Sequence, residues 1–410
     1  PAGGAQQPAE PTAPGRPTAG RDSTAGAGST AGDSVLRPSG PARPARGGDG
    51  PSEEARAVTG VAGSDLERRA ATVLAAELES RGRKVQVQDV KVPAGPGASV
   101  AVHALIALAG SLIGLASPLI GAAIALIAAF SFYAERALGL PLIGRALPRR
   151  RTRNVISPPL GPGWATEVDA IFVAGYDAPA SYPVGAWLER RFDGRLTTDR
   201  ILLWGAMILT FVSLLLRAAE IDATWVQAIQ AVGAALLLGA VAAQVDRRLA
   251  GTPLGVDEDL APARDLIAAL EEAEREGDGA GIALCLVGAE SADAAGAEAL
   301  FGDRRLEVKP DVAVIGLVRA AAEGRPEITA REGDLSTVAM SAELAAESPL
   351  KPKRVIIRRA TAAGRARRRG ARAVTVVGRG DLGVDLVLDL LDGSLAAADR
   401  SATTPRRSNS

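Results

Sequence analysis

From residue 99 to residue 133 the chain contains no Asp, Glu, Lys or Arg, and few folds accommodate such a stretch. As one helix its thirty-five residues would extend about 52 Å, against roughly 30 Å of bilayer hydrocarbon, so a single crossing fits poorly. Ser117 and Pro118 fall at its middle, where proline removes a helical donor and biases the residue before it away from the α region. The pattern predicts a tight helical hairpin, 100–116 and 118–133. A second apolar pair, 201–216 and 223–245, is joined by RAAEID, with Trp204 and Trp225 near the expected interface levels. Three of these four spans are near the short limit for a crossing. A hairpin dipping into one leaflet, and buried helices of a soluble domain, therefore stand beside the transmembrane reading.

Forty-seven Lys and Arg balance forty-seven Asp and Glu, which argues against nucleic acid as a partner and moves the electrostatic message to local clusters. Arg81, Arg83, Lys84 and Lys91 precede the first apolar pair, and Arg149, Arg150, Arg151 and Arg153 follow it. Arg190, Arg191, Arg195 and Arg200 precede the second, Arg247 and Arg248 follow it, and the two tips carry only Arg217 against Glu220 and Asp222. Short loops rich in Lys and Arg stay cytoplasmic. The expectation is a multi-pass protein of the plasma membrane with both termini and the soluble part in the cytoplasm, its basic clusters meeting anionic headgroups of the lipid bilayer.

Residues 1–57 are mostly Ala, Gly, Pro, Ser and Thr, too poor in large apolar side chains to offset their ordering entropy, so a disordered tail is expected. They show no secretory signal pattern. The single cysteine, Cys285, lies in the apolar run IALCLV and reads as a small buried hydrophobe. The single histidine, His103, lies near the start of the first span. Hydrogen bonding to a neighbouring helix is its plain account; a proton relay would want a carboxylate partner, and the spans as drawn contain none.

The rest of the chain alternates helical and strand patterns. Ser64-Asp65-Leu66-Glu67 is a capping box opening a helix with Leu66, Ala70, Val73, Leu74 and Leu78 on one face. KVQVQDVKV, NVIS, VDAIFVAGYD, IALCLVGAE, DVAVIGLV, KRVIIRR and ARAVTVVG read as strands, and LAPARDLIAALEEAERE and DLSTVAMSAELAAES as helices. This is the pattern of an α/β sandwich with a mainly parallel or mixed sheet. It divides the chain into a tail (1–57), three parts of one α/β domain (58–98, 140–200, 247–397) separated by hairpins (99–139, 201–246), and a disordered tail (398–410).

Asn154-Val155-Ile156, Gly175-Tyr176-Asp177, Gly255-Val256-Asp257-Glu258-Asp259, Gly288-Ala289-Glu290-Ser291 and Gly370-Ala371-Arg372-Ala373-Val374 follow one another in this sequence. In order and spacing they resemble the segments of the di-zinc aminopeptidases of metallopeptidase family twenty-eight, over roughly residues 60–395 apart from the hairpins. The resemblance implies an aminopeptidase-like three-layer sandwich interrupted by two transmembrane hairpins. Carried across residue by residue, it puts the first zinc-binding histidine on Gly175, the bridging aspartate on Glu258, the general base on Glu290 and the adjacent ligand on Ser291. The later acidic ligand falls near residues 316–318 and the last histidine near 358–361, where neither residue type stands. Catalytic zinc needs about three protein ligands per ion and an open position for water. Asp177, Asp257, Glu258 and Glu290 are then remnants of a degenerate site, or simply loop and helix-terminal carboxylates. No catalytic residue, metal or cofactor is expected.

Gly378-Arg379-Gly380-Asp381-Leu382-Gly383 matches a dinucleotide loop after a strand, but without the second strand of a βαβ unit the motif is weak. The resulting expectation is a membrane-anchored, catalytically silent aminopeptidase-like protein acting on a protein, peptide or lipid partner. The alternatives are an active zinc metallopeptidase with misaligned ligands, and a small transporter.

Overall fold

The structure, a computed structural model, describes residues 35–38, 59–93, 96–137, 140, 142–160, 168–179, 198–249, 259–277, 279–303, 308–310, 312–319, 325–333, 336–346, 348–378 and 380–403. The strands are β1 (Val35–Pro38), β2 (Gln86–Pro93), β3 (Arg149–Ser157), β4 (Ala170–Gly175), β5 (Ile282–Val287), β6 (Ala313–Arg319), β7 (Glu327–Gly333), β8 (Thr337–Ala339), β9 (Lys353–Ile357) and β10 (Arg372–Gly378). The helices are α1 (Asp65–Ser80), α2 (Pro96–Ala116), α3 (Pro118–Ala137), α4 (Thr198–Ala218), α5 (Thr224–Leu249), α6 (Ala261–Glu276), α7 (Ala295–Phe301), α8 (Ala342–Ala346), α9 (Ala362–Arg368) and α10 (Gly380–Thr403).

Alternation along the central strands sets the layers. Phe172 and Ala174 of β4 and Leu284 and Leu286 of β5 face one way, with α1, α6 and α10 packed over them. Ile171, Val173, Ala283 and Cys285 face the other way, beneath α7 and α9. Because both faces are covered, these strands are apolar throughout rather than alternating with polar residues. The strand order is β1-β2-β3-β5-β4-β6-β10-β7-β8, with β9 beside β7. The centre, β5-β4-β6-β10, is parallel, and β1, β2, β3, β7 and β8 add antiparallel pairings, which makes a mixed sheet in a three-layer sandwich.

The capping residue Ser64 accepts from Glu67 N at 3.1 Å, as its motif predicts. The buried stripe of α1 is Ala70, Ala71, Leu74 and Leu78, while Val73 turns to solvent. Other expectations need correction. The stretch read as one helix at 334–348 forms β8 and the one-turn α8 instead, because β7 offers Thr337–Ala339 a ladder that local propensity cannot anticipate. Val35–Pro38, inside the expected disordered tail, pair antiparallel with β2; backbone bonds to a sheet edge need no buried apolar area. The rest of residues 1–57 lies outside the described residues. At the other end α10 continues to Thr403, past the expected start of the C-terminal tail.

The apolar segments form four helices broken at Ser117 and around Ala219, each packed against at least two of the others around Ala104, Ala107, Ala128, Phe132, Leu203, Met207 and Leu237. Three of them, α2, α3 and α5, are long and apolar enough to cross a membrane; the apolar part of α4 is the shorter Leu203–Ala218. Close approach of α2 and α3 depends on glycine: a Cβ on Gly121 would stand 2.5 Å from Gly110 O and from Gly114 Cα. The outward side chains are large and apolar, among them Leu112, Leu115, Leu119, Ile127, Phe130 and Leu238.

The third helix also runs one turn further than its uncharged stretch, and this corrects the reading that His103 has no carboxylate near it. His103 Nε2 meets Ser131 Oγ at 3.0 Å and Nδ1 meets Ser99 O at 2.8 Å. Ser99 Oγ in turn donates to Glu135 at 2.6 Å. Arg136, one residue on, is ion-paired with Asp293 of the α/β domain. The carbonyl of Ala137 accepts from Ser336 Oγ at 3.1 Å and from Arg368 at 3.3 Å, so the last turn of α3 is capped by the sandwich.

Candidate functional site

Parallel pairing of β4 with β5 delivers Gly175-Tyr176-Asp177 and Gly288-Ala289-Glu290-Ser291 side by side at the carboxyl end of the sheet, where open α/β sheets hold their ligands. Asp177 spans the two loops. Its carboxylate accepts from Glu290 N at 2.7 Å, Ser291 N at 3.0 Å and Ser291 Oγ at 2.5 Å. Burial raises its pKa, opposed by these same donors.

Glu290 turns back towards β4. A Cβ built on Gly175 would stand 1.8 Å from Glu290 Oε2 and 2.6 Å from Glu290 Cβ, so the Glu290 side chain fills the space a residue at 175 would use. Its Oε1 accepts from Ala362 N, the first turn of α9, at 3.2 Å. Burial pushes the Glu290 carboxyl up to about 7; Arg359 opposes this, and Asp177 and Glu332 add to it.

Glu332 of β7 is the residue that sequence reasoning missed. It is buried among three threonines: Thr329 Oγ1 donates at 2.7 Å and Thr361 Oγ1 at 2.5 Å, while Thr375 Oγ1 lies 3.0 Å from that of Thr361. Desolvation raises its pKa against these hydroxyls. Neither charge nor periodicity marks EITAREG as a buried strand; pairing of β7 with β10 and with β9, where Glu332 stands opposite Ile357, brings Glu332 beside the position expected for the last histidine.

The loop after β5 is held from several sides. Ala289, Asp293 and Ala294 have φ of 53°, 62° and 52°, a left-handed conformation unfavourable for residues with a Cβ, which persists only where the surroundings fix it. Gly288 N donates to Asn154 at 3.2 Å and Ala289 N to Glu67 at 2.7 Å. Arg365 donates to the Asp293 carbonyl at 2.7 Å. Glu67, foreseen only as a capping residue, also accepts from Gly63 N at 2.5 Å and Thr152 Oγ1 at 2.7 Å, and burial pushes it up to about 7.

Of the sequence-predicted site residues, Asp177 and Glu290 come together; Asp257 and Glu258 lie outside the described residues. The described residues do not fit a zinc centre. The place of the first ligand is filled by Glu290, the residue expected as general base, and the Ser291 hydroxyl donates to Asp177 rather than facing a common point with it. Among the described residues no group of three or more His, Cys, Asp and Glu stands close enough to hold a metal ion. Among the described residues, the single histidine, His103, lies in the helical bundle, and burial pushes the Cys285 thiol up to about 12. At the glycine-rich segment, Gly380 N donates to Asp265 at 3.1 Å, so a carboxylate already holds the helix terminus a pyrophosphate would need.

No protein-family model matches the chain, and no curated protein sequence matches it. One solved structure to which it is similar is the aminopeptidase from Aneurinibacillus sp. strain AM-1, at 12% identity and a TM-score of 0.38 over 83% of this chain and 90% of that one. An overlap this loose does not by itself establish a common topology.

Proposed function

We propose that this is a multi-pass membrane protein whose α/β domain has an aminopeptidase-like architecture without hydrolytic activity, and that it acts by binding a protein, peptide or lipid partner. The observation that carries the silent reading is the Glu290 side chain packed against Gly175, which puts a carboxylate in the volume a first metal ligand would need. Two other described carboxylates support it: Asp177 and Glu332 are both engaged by donors within the fold.

The membrane reading is supported by the outward faces of α2 to α5, where large apolar side chains form a belt far beyond the isolated exposed leucines of ordinary surfaces. The cytoplasmic placement of both termini is supported by the arginines flanking each helical pair.

Two measurements test the proposal. Detergent-purified protein should contain well under one zinc per chain and should not hydrolyse aminoacyl or peptide substrates; near-stoichiometric zinc with chelator-sensitive hydrolysis overturns the silent reading. Ala219→Cys, at the exposed α4–α5 tip, should react with an impermeant maleimide from outside intact cells. Reaction from the cytoplasmic side alone reverses the orientation, and recovery of the protein in the soluble fraction without detergent removes the membrane altogether.

A further inference from the structure

The first turn of α1 and the β2–β3 pair enclose a cleft of about 620 Å3 lined by Arg68, Arg150, Arg151 and Arg153 together with Asp65 and Asp89. The lining residues carry four positive charges against two negative, an excess of two. Arg68 is paired with Asp65, and Arg153 with Asp89 at 3.2 Å. Arg150 and Arg151 are exposed, and among the described residues their side chains meet no acceptor.

The strand register increases the imbalance. It sets Lys91 directly opposite Arg151, and like charges facing each other across a ladder repel. Gly63, with a φ of 74°, draws in the backbone beside Arg150: a Cβ there would lie 2.6 Å from Arg150 Cβ. The geometry therefore concentrates cations where folding alone would disperse them, and an anion in the cleft would offset their repulsion.

The position identifies the anion. Pro93 pairs with Arg149 at the end of the ladder from which the chain leaves for α2 and to which it returns after α3. Resting on the membrane reading above, that end lies at the headgroup layer. Each arginine fork offers two parallel N–H groups to two oxygens of one phosphate. Two uncompensated charges match a phosphomonoester dianion better than a singly charged carboxylate or phosphodiester.

We propose that this cleft binds a phosphomonoester dianion, presented by the headgroup of an anionic phospholipid.

The test uses the full chain in an uncharged detergent and follows its thermal midpoint with dihexanoyl phosphatidic acid, dihexanoyl phosphatidylcholine or inorganic phosphate at matched ionic strength. Phosphatidic acid at a hundred times its dissociation constant should raise the midpoint by roughly 5 °C or more, and phosphatidylcholine should not. The exposed double variant Arg150→Gln/Arg151→Gln should lose this shift, while its ligand-free midpoint stays level or rises because repulsion is relieved. An equal shift with inorganic phosphate supports the cleft as a phosphate site and assigns it a soluble source instead. An equal shift in wild type and variant, or none in either, overturns the proposal. Inorganic phosphate needs no bilayer, so failure of the membrane reading leaves the cleft independently testable.

Discussion

Replacing Gly175 with alanine probes the filled site directly. The backbone at 175 is in β4 and outside the left-handed region, so alanine itself is compatible and, relative to glycine in a strand, favourable by about 0.5 to 1 kcal/mol. The new Cβ, however, would meet Glu290 Oε2 at 1.8 Å and Glu290 Cβ at 2.6 Å. The carboxylate can swing aside only by leaving Ala362 N, and the Cβ contact can relax only if the loop slides. That loop is pinned by Asp177 at Glu290 N and by Glu67 at Ala289 N. Overpacking of this kind costs about 1 to 3 kcal/mol; less the propensity gain, a net loss of up to about 2.5 kcal/mol lowers the thermal midpoint at about 2 to 4 °C per kcal/mol. Glu290→Gly removes both clashing atoms. In that background Gly175→Ala should be neutral or stabilising, and the four-variant cycle should show a coupling of about 1 to 3 kcal/mol. Additivity within about 0.5 kcal/mol would mean that Glu290 does not occupy this space, and the case for a filled metal site would go with it.

Two further outcomes follow from buried groups. Glu67 and Glu290 are each held up to about 7 against an ordinary 4.5, so across that interval the folded chain binds more protons than the unfolded one. The stability these two groups contribute is then fully present below pH 4.5 and falls as the pH rises towards 7, by about 3 kcal/mol for the fully buried Glu67; midpoints measured from pH 5 to 8 should fall less steeply in Glu67→Gln and in Glu290→Gln than in the wild type. In the bundle, Gly121→Ala places a Cβ 2.5 Å from Gly110 O and should lower the midpoint in detergent, whereas Gly239→Ala, whose Cβ meets nothing within 4 Å, should leave it unchanged or raise it through helix propensity. Equal effects of the two substitutions would refute the close α2–α3 crossing.

Features set by neighbours along the chain are legible in the sequence, because they depend on dihedral preference and periodicity alone. The uncharged run and Ser117-Pro118 fix two helices and the break between them. The Ser64 cap opens α1, and the apolar runs at β4, β5, β6 and β10 become the covered strands of the sheet centre. On the proposed reading, Gly175 and Ser291 stand in the sequence where metal-binding side chains would be expected. What fills their place depends on atoms far apart in the chain and could be decided only by folding. Glu290 reaches Gly175 across 115 residues because β4 and β5 pair in parallel, and Glu332 is buried because β7 joins the far side of the sheet. Glu135 comes within reach of the His103 network only because α3 continues past its apolar run to dock on the sandwich. Burial pushes the carboxyls of Glu67 and Glu290 up to about 7, and burial is a property of packing that no local pattern records.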